Sequence, residues 1–250
     1  LGIKAAANEH LLFTDADCIP LSDDWIADMT SNFSSEMQIV LGYGAYEKVK
    51  HSFLNKIIRF ETLLTAIQYF TYAKIGMPYM GVGRNLAYTK SLFFKVNGFM
   101  NHMNVRSGDD DLFINSVATR NNTAICLSEK SFTQSVSKKK FKEWFLQKRR
   151  HVSTAKRYKP LHKFILGLFY LSQIGFYLLG SLLLIFQYNL LFTVSIILFR
   201  YLILYVSIAV LTKKFKERDL VVFFPIFEIL LILFQFVIFI KNIISKPTHW

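Results

Sequence analysis

Disulfide chemistry is the first thing this sequence lacks. Its 250 residues hold two cysteines, Cys18 and Cys126, too few for a disulfide framework and fitting a reducing compartment. Neither has a metal-ligand partner at a useful spacing. No signal-peptide pattern opens the chain. The first residue is Leu1 rather than Met, in what reads as mid-helix, so the chain is expected to be an N-terminally incomplete piece of a longer one. A basic excess is missing from the first half: Leu1 to Ser137 carries 12 Lys/Arg against 13 Asp/Glu. The net charge of +13 arises from Lys138 onward, where the count is 18 against 4. That distribution argues against a nucleic-acid partner and for anionic lipid headgroups beside apolar spans.

Charge is absent altogether from Phe164 to Phe199. This run is too long for one span and breaks at Gln187-Tyr188-Asn189, which predicts transmembrane helices over 164–186 and 190–211. A third follows over 220–241, with Glu228 its only charge before Lys241. Ahead of them, 138–163 holds 11 basic residues and one acid, Glu143. Phe141, Trp144, Phe145 and Val152 recur there at helical spacing, the pattern of an amphipathic helix on a membrane surface. Positive charge places 138–163 and the loop 213–218 in the cytoplasm and Gln187-Tyr188-Asn189 outside. Arg200 and Glu228 fall at depths differing by about one helical turn in spans joined by a short loop, at about 1.5 Å rise per residue. Two unpaired charges there are costly, so the two are expected to pair.

The acids of the first half are concentrated in two places. Leu11-Leu12-Phe13 reads as a buried strand running out to Thr14-Asp15-Ala16-Asp17, with Pro20 stopping it. Alternation along a strand puts Asp15 and Asp17 on one side, and two carboxylates there suit a hard divalent cation shared with phosphates. The plainer alternative is that one caps the next helix and the other is solvated. The second concentration is Gly108-Asp109-Asp110-Asp111 at the start of a helix to about Arg120. One cap requires one Asp, and mutual repulsion among three is costly unless a cation or a proton is handled there.

The remaining elements frame these two. A helix is expected over 3–9, another after Ser22-Asp23-Asp24 carrying Trp25, Ile26, Met29 and Phe33, and a strand over 38–46. An amphipathic helix over 53–73 buries Phe53, Ile57, Phe60, Leu64, Ile67 and Phe70 and turns Lys56, Arg59 and Glu61 to solvent. In Gly81-Val82-Gly83-Arg84-Asn85 the glycines allow close approach of a ligand, which Arg84 and Asn85 could hydrogen-bond; a tight strand start is the simpler alternative. A helix over 91–96 stops at Asn97-Gly98, and 101–107 reads as an exposed loop.

Taken together, FTDADC at 13–18, GVGRNLAY at 81–88, GDDDL at 108–112 and QKRRH at 147–151 occur in this order ahead of apolar spans. The set resembles the family-2 glycosyltransferases that carry membrane helices after a GT-A catalytic domain. The resemblance implies an α/β fold. It consists of a partial, Rossmann-like GT-A domain over 1–137, a basic amphipathic interfacial segment over 138–163, and three transmembrane helices within 164–241. It implies an integral protein of the cell (inner) membrane with its catalytic domain in the cytoplasm. That protein would pass a sugar, with inversion, from a nucleotide-sugar donor to a lipid or glycan acceptor. Carried over position by position, Asp17 would hold Mg²⁺ or Mn²⁺ against the donor diphosphate, with Asp15 nearer the nucleotide. Gly83, Arg84 and Asn85 would line the donor site. Asp110 matches the family's base, but Asp109 stands where Glu is usual, which leaves the choice among Asp109, Asp110 and Asp111 open. Gln147 and Arg150 match the Gln-x-x-Arg-Trp motif that closes over donor and acceptor, and His151 occupies the Trp position. Two competing readings are a haloacid-dehalogenase-type phosphohydrolase, which would want Ser or Thr where Ile19 stands, and a non-catalytic membrane scaffold.

Overall fold

The computed structural model describes residues 2–100, 103, 105 and 107–245, so most of the expected loop 101–107 lies outside the described residues. The chain divides into two compact units at Lys159/Pro160, between the boundaries expected at 137/138 and 163/164. The reason is that the basic segment after Ser137 folds with the first unit. Its helix α6 (Phe141–Thr154) buries Trp144, Arg149 and Thr154. The apolar edge read as membrane-facing is therefore partly committed to protein, while Phe141 and Val152 stay exposed.

The first unit is a mixed α/β body built on two small sheets. One has the order β1 (His10–Phe13), β5 (Leu86–Thr89), β3 (Ile39–Leu41), β6 (Thr123–Ile125). Its β3 and β5 are buried at every position, which explains why they read as continuous apolar runs rather than alternating ones. The other sheet has the order β2 (Cys18–Pro20), β7 (Thr133–Ser135), β4 (Gly44–Tyr46). The expected single strand over 38–46 is thus two strands, one in each sheet, with Gly42-Tyr43 making the step. Pro20 does not end the strand of Asp15 and Asp17. It lies within β2, an edge strand, where a missing donor is tolerated.

Helices cover these sheets. The expected helix over 3–9 shortens to α1 (Gly2–Ala5). Helix α2 (Trp25–Thr30) starts after Asp24, whose side chain makes no capping bond, and ends before Phe33. Helix α3 (Phe53–Lys74) is capped by Ser52, whose hydroxyl accepts from the Asn55 N–H. Its buried face is Ile57, Phe60, Leu63, Ala66, Tyr69 and Phe70 rather than the expected set, because Phe53 is exposed and Arg59 is buried. Helix α4 (Lys90–Lys95) stops at Asn97 and Gly98, both at positive φ, as expected. Helix α5 (Asp109–Val117) follows Gly108.

Among the described residues, the second unit holds three helices long and apolar enough to cross a membrane: α7 (Pro160–Ile185), α8 (Leu190–Lys214), and a 3-10 turn from Arg218 running into α9 (Phe224–Ile244). The break between the first two falls where expected, with Gln187 and Asn189 at positive φ and the Asn189 side chain capping α8. Large apolar side chains such as Leu171, Phe199, Leu202 and Phe239 face outward, which suits lipid contact. Inside the unit, Arg200 and Glu228 are paired at 2.5 Å. Tyr177 donates to the same carboxylate and lies 2.9 Å from the Tyr201 hydroxyl. The Arg200 guanidinium also stacks on Phe176, 4.1 Å from the ring centre.

Candidate active site

The register of one strand pair builds the site. Strands β1 and β5 are antiparallel with Phe13 opposite Leu86, so the residues leaving β1 face those arriving at β5. Thr14 therefore donates its hydroxyl to the Arg84 carbonyl at 3.0 Å, and Asp15 lies beside Gly83. Asp15 and Asp17 occupy the turn between β1 and β2 rather than the strand itself. They still converge, because Cys18 begins β2 and brings its thiol back to them. The ligand atoms of Asp15, Asp17 and Cys18 all lie within 4.8 Å of one another. Cys18 is the residue that sequence reasoning missed. Its adjacency to Asp17 was visible, but spacing along the chain says nothing about a turn that folds the thiol toward the acids. Asp15 is solvent-accessible yet backed by protein, and this burial raises its carboxyl above the usual range against the opposing pull of Arg84.

Glycine at position 83 is what lets the second acid cluster approach. A Cβ there would lie 3.1 Å from an Asp110 carboxylate oxygen and 3.4 Å from one of Asp15. The Gly83 N–H donates to Asp110 Oδ2, and the Asp111 N–H donates to Oδ1 at 2.8 Å. Burial pushes Asp110 up to about 6, opposed by those two N–H donors. Asp109, one step earlier on α5, is exposed. Asp111 is buried and turned the other way. Its Oδ2 lies 2.8 Å from the Thr154 hydroxyl and 2.7 Å from that of Tyr158. Burial, followed by repulsion from Asp110, pushes it up to about 7.

Arg84 and Asn85, expected side by side on the donor, part company. Arg84 packs its guanidinium over Tyr46, 4.4 Å from the ring centre, and donates to the Ala45 carbonyl, while its charge acts on Asp15 and Cys18. Asn85 is fully buried. Its amide nitrogen donates to the Tyr43 and Ser131 carbonyls, and its oxygen accepts from the Trp25 indole. With its amide bonded to three parts of the fold, Asn85 braces the strand entry.

Helix α6 supplies the last side of the site. Gln147 is half-buried on it, and Lys148 pairs with Glu61 of α3 at 2.5 Å. His151 retains solvent contact, but the protein around it and the cations Lys148, Arg84 and Arg150 hold its imidazole well below the usual range. His151 and Arg150 are therefore grouped electrostatically with Arg84, and through it with Asp15. Asp15, Asp17, Gly83, Arg84, Asp110 and His151 are brought together; Asn85 and Asp111 face away into the fold.

A family model described as glycosyl transferase family group 2 matches residues 10–239. No curated protein matches the chain. Among solved structures, the chain is similar to the mannosyltransferase PcManGT from Pyrobaculum calidifontis, in complex with GDP-Man and Mn²⁺. Identity is 15%, the TM-score is 0.51, and the match covers 98% of this chain. It covers 65% of that chain, so the present chain spans a little under two thirds of that protein's length. At this identity the likeness establishes the fold: a GT-A-like α/β body followed by apolar helices.

Proposed function

Since the chain belongs to glycosyl transferase family group 2, we propose that it is a membrane-bound, inverting glycosyltransferase using a nucleoside-diphosphate sugar and a divalent cation. The observation that carries this reading is the convergence at Gly83, where Asp15 of the acid turn and Asp110 of α5 meet across one backbone segment. The donor set fits Mg²⁺ or Mn²⁺: Asp15 and Asp17 offer hard oxygens, and their exposed side leaves room for phosphate oxygens. Cys18 adds a softer ligand that Mn²⁺ tolerates better than Mg²⁺. When bound, such a cation offsets the charge that develops on the departing diphosphate.

The chain's own residues divide the remaining work. Asp110 takes the proton of the attacking hydroxyl. Two N–H donors keep it an acceptor, and a value of about 6 leaves it ionised yet basic at neutral pH. Arg150 and the Arg84 charge counter the leaving diphosphate. Gln147 and His151 on α6 serve the donor and acceptor, and a neutral His151 offers one hydrogen-bond donor and one acceptor. Asp109, exposed at the same helix end, is in solvent contact beside Asp110.

The acceptor is a lipid or glycan presented near the bilayer. The basic segment 138–163 holds the catalytic unit against anionic headgroups on the cytoplasmic face of the cell membrane, with Phe141 and Val152 exposed on it. The chain would be reconstituted in bilayer discs and given a panel of nucleoside-diphosphate sugars beginning with GDP-mannose. The expected result is Mn²⁺-dependent release of nucleoside diphosphate from at least one donor, abolished by EDTA. Release from none would refute the reading.

A further inference from the structure

Asp111 poses a proton-counting problem that the proposed reaction does not use. Three contacts surround its Oδ2 and the hydroxyls it meets. Tyr158 Oη lies 2.7 Å from Oδ2, Thr154 Oγ1 lies 2.8 Å from Oδ2, and the same Thr154 Oγ1 lies 2.7 Å from the His151 carbonyl. Tyrosine and threonine hydroxyls each carry one proton. A carboxylate at 111 would claim the Thr154 proton and leave the His151 carbonyl without it. A carboxylic acid satisfies every contact in one chain: Tyr158 donates to Oδ2, Oδ2–H donates to Thr154, and Thr154 donates to the His151 carbonyl. The other oxygen, Oδ1, is buried and meets no hydrogen-bond partner among the described residues. A neutral acid's carbonyl oxygen bears that far better than half of a carboxylate does.

Asp110 is built the opposite way. Both its oxygens receive backbone N–H groups, which can only donate. Two adjacent acids thus have environments that drive them apart. The groups facing Asp111 are Asp110 and the Leu112 N–H on its own helix, Tyr79 from the segment after α3, and Thr154 and Tyr158 from the end of α6 and beyond. None is a cation. Gly108 supports the arrangement: it sits at φ +80°, and a Cβ there would collide with Asp111 Oδ1 and lie 2.6 Å from Thr154 Cγ2. One turn further along α5, Asn115 accepts from the Lys159 N–H at 2.9 Å, which extends the seam.

We propose that Asp111 is a positioning residue, held as a neutral carboxylic acid that clasps α5 to the end of α6 and thereby sets Asp110 against Gln147, Arg150 and His151. The role rests on Asp110 being the base; the protonation does not. Infrared spectra of the full chain in bilayer discs at neutral pH test the protonation without any activity. A carboxylic-acid carbonyl band in the wild type that Asp111→Asn removes is expected, and its absence would overturn the proposal. Turnover tests the clasp. Asp111→Ala should lose roughly 10- to 100-fold in kcat, as small misplacements of a reacting group do, with donor KM unchanged. Asp111→Asn, which keeps a neutral donor at the same place, should recover most of that loss. Tyr158→Phe, which keeps the ring, should lower kcat without lowering the amount of folded protein. Equal losses in the Asn and Ala variants, or a Tyr158→Phe rate matching wild type, would overturn the clasp. Turnover absent from the wild type refutes the transferase reading alone, and the infrared band then still decides the protonation.

Discussion

Two groups of charges among the described residues, one in each compact unit, are built on opposite lines. Within the second unit, Arg200 and Glu228 are matched in sign, and Tyr177 shares the carboxylate. Phe176 covers the guanidinium face. Within the first unit, Asp15, Asp110 and Asp111 are acids crowded with acids, and burial raises all three. The matched cluster has little left to offer a ligand. The unmatched one stores unfavourable energy that a cation, a phosphate-bearing donor or a proton can relieve. Stability is the product of the first arrangement and chemistry of the second.

The contrast can be broken in four places. The largest effect falls on metal dependence. Asp17→Ala should weaken Mn²⁺-dependent donor binding by more than the roughly 10- to 100-fold seen on losing a mere supporting contact to a metal. Calorimetric titration of donor with and without Mn²⁺ reads this directly, and undiminished binding would move the metal elsewhere. Next comes the matched pair. Arg200→Leu or Glu228→Leu alone leaves a charge in the membrane, where breaking a buried pair costs roughly 3–5 kcal/mol. The double variant removes both charges and should recover most of that loss. Thermal unfolding in discs decides the matter: a double variant no better than either single one would show that the pair is not energetically coupled.

A smaller loss is expected at Asn85. Truncation to Ala strands the Trp25 indole and removes one donor from the Ser131 carbonyl, while the Tyr43 carbonyl keeps the Thr133 N–H, for a loss of about 1–3 kcal/mol. Stability should fall while donor KM in the folded fraction holds. A raised KM with unchanged stability would return Asn85 to the donor site. The smallest effect is in pH dependence. Asp111 binds its proton more tightly when folded than unfolded, so its contribution is full below the unfolded value near 4. That contribution is lost as pH rises toward about 7. Asp111→Asn should flatten the stability profile across that window, and an identical profile in the variant would contradict the neutral acid.

What could be read in the sequence is what depends on neighbours along the chain. The charge-free run from Phe164, the break at Gln187-Tyr188-Asn189 and the stop at Asn97-Gly98 are all local, and each stands where expected. The Arg200–Glu228 pair was also legible, because helical rise converts sequence distance into depth. The acid turn was legible as chemistry but not as geometry. Strands of three and four residues do not reveal which sheet they join, so Pro20 read as a stop when it lies in an edge strand. Asn85 and Asp111 escaped for a related reason. Their partners lie 46 and 47 residues away in Ser131 and Tyr158, and no periodicity links such positions. The inward side of α6 was misjudged because its lysines dominate the pattern while Trp144 alone carries much of the packing.

The central claim is that three adjacent acids have three different fates: Asp109 solvated, Asp110 the base, Asp111 a neutral clasp. Single-turnover sugar transfer at saturating donor and Mn²⁺, measured side by side in Asp109→Asn, Asp110→Asn and Asp111→Asn, tests it most directly. The account predicts that Asp110→Asn alone loses about 10²–10⁴-fold, the usual worth of a general base, while the other two remain far closer to wild type. A deeper loss in Asp109→Asn or Asp111→Asn than in Asp110→Asn would contradict it.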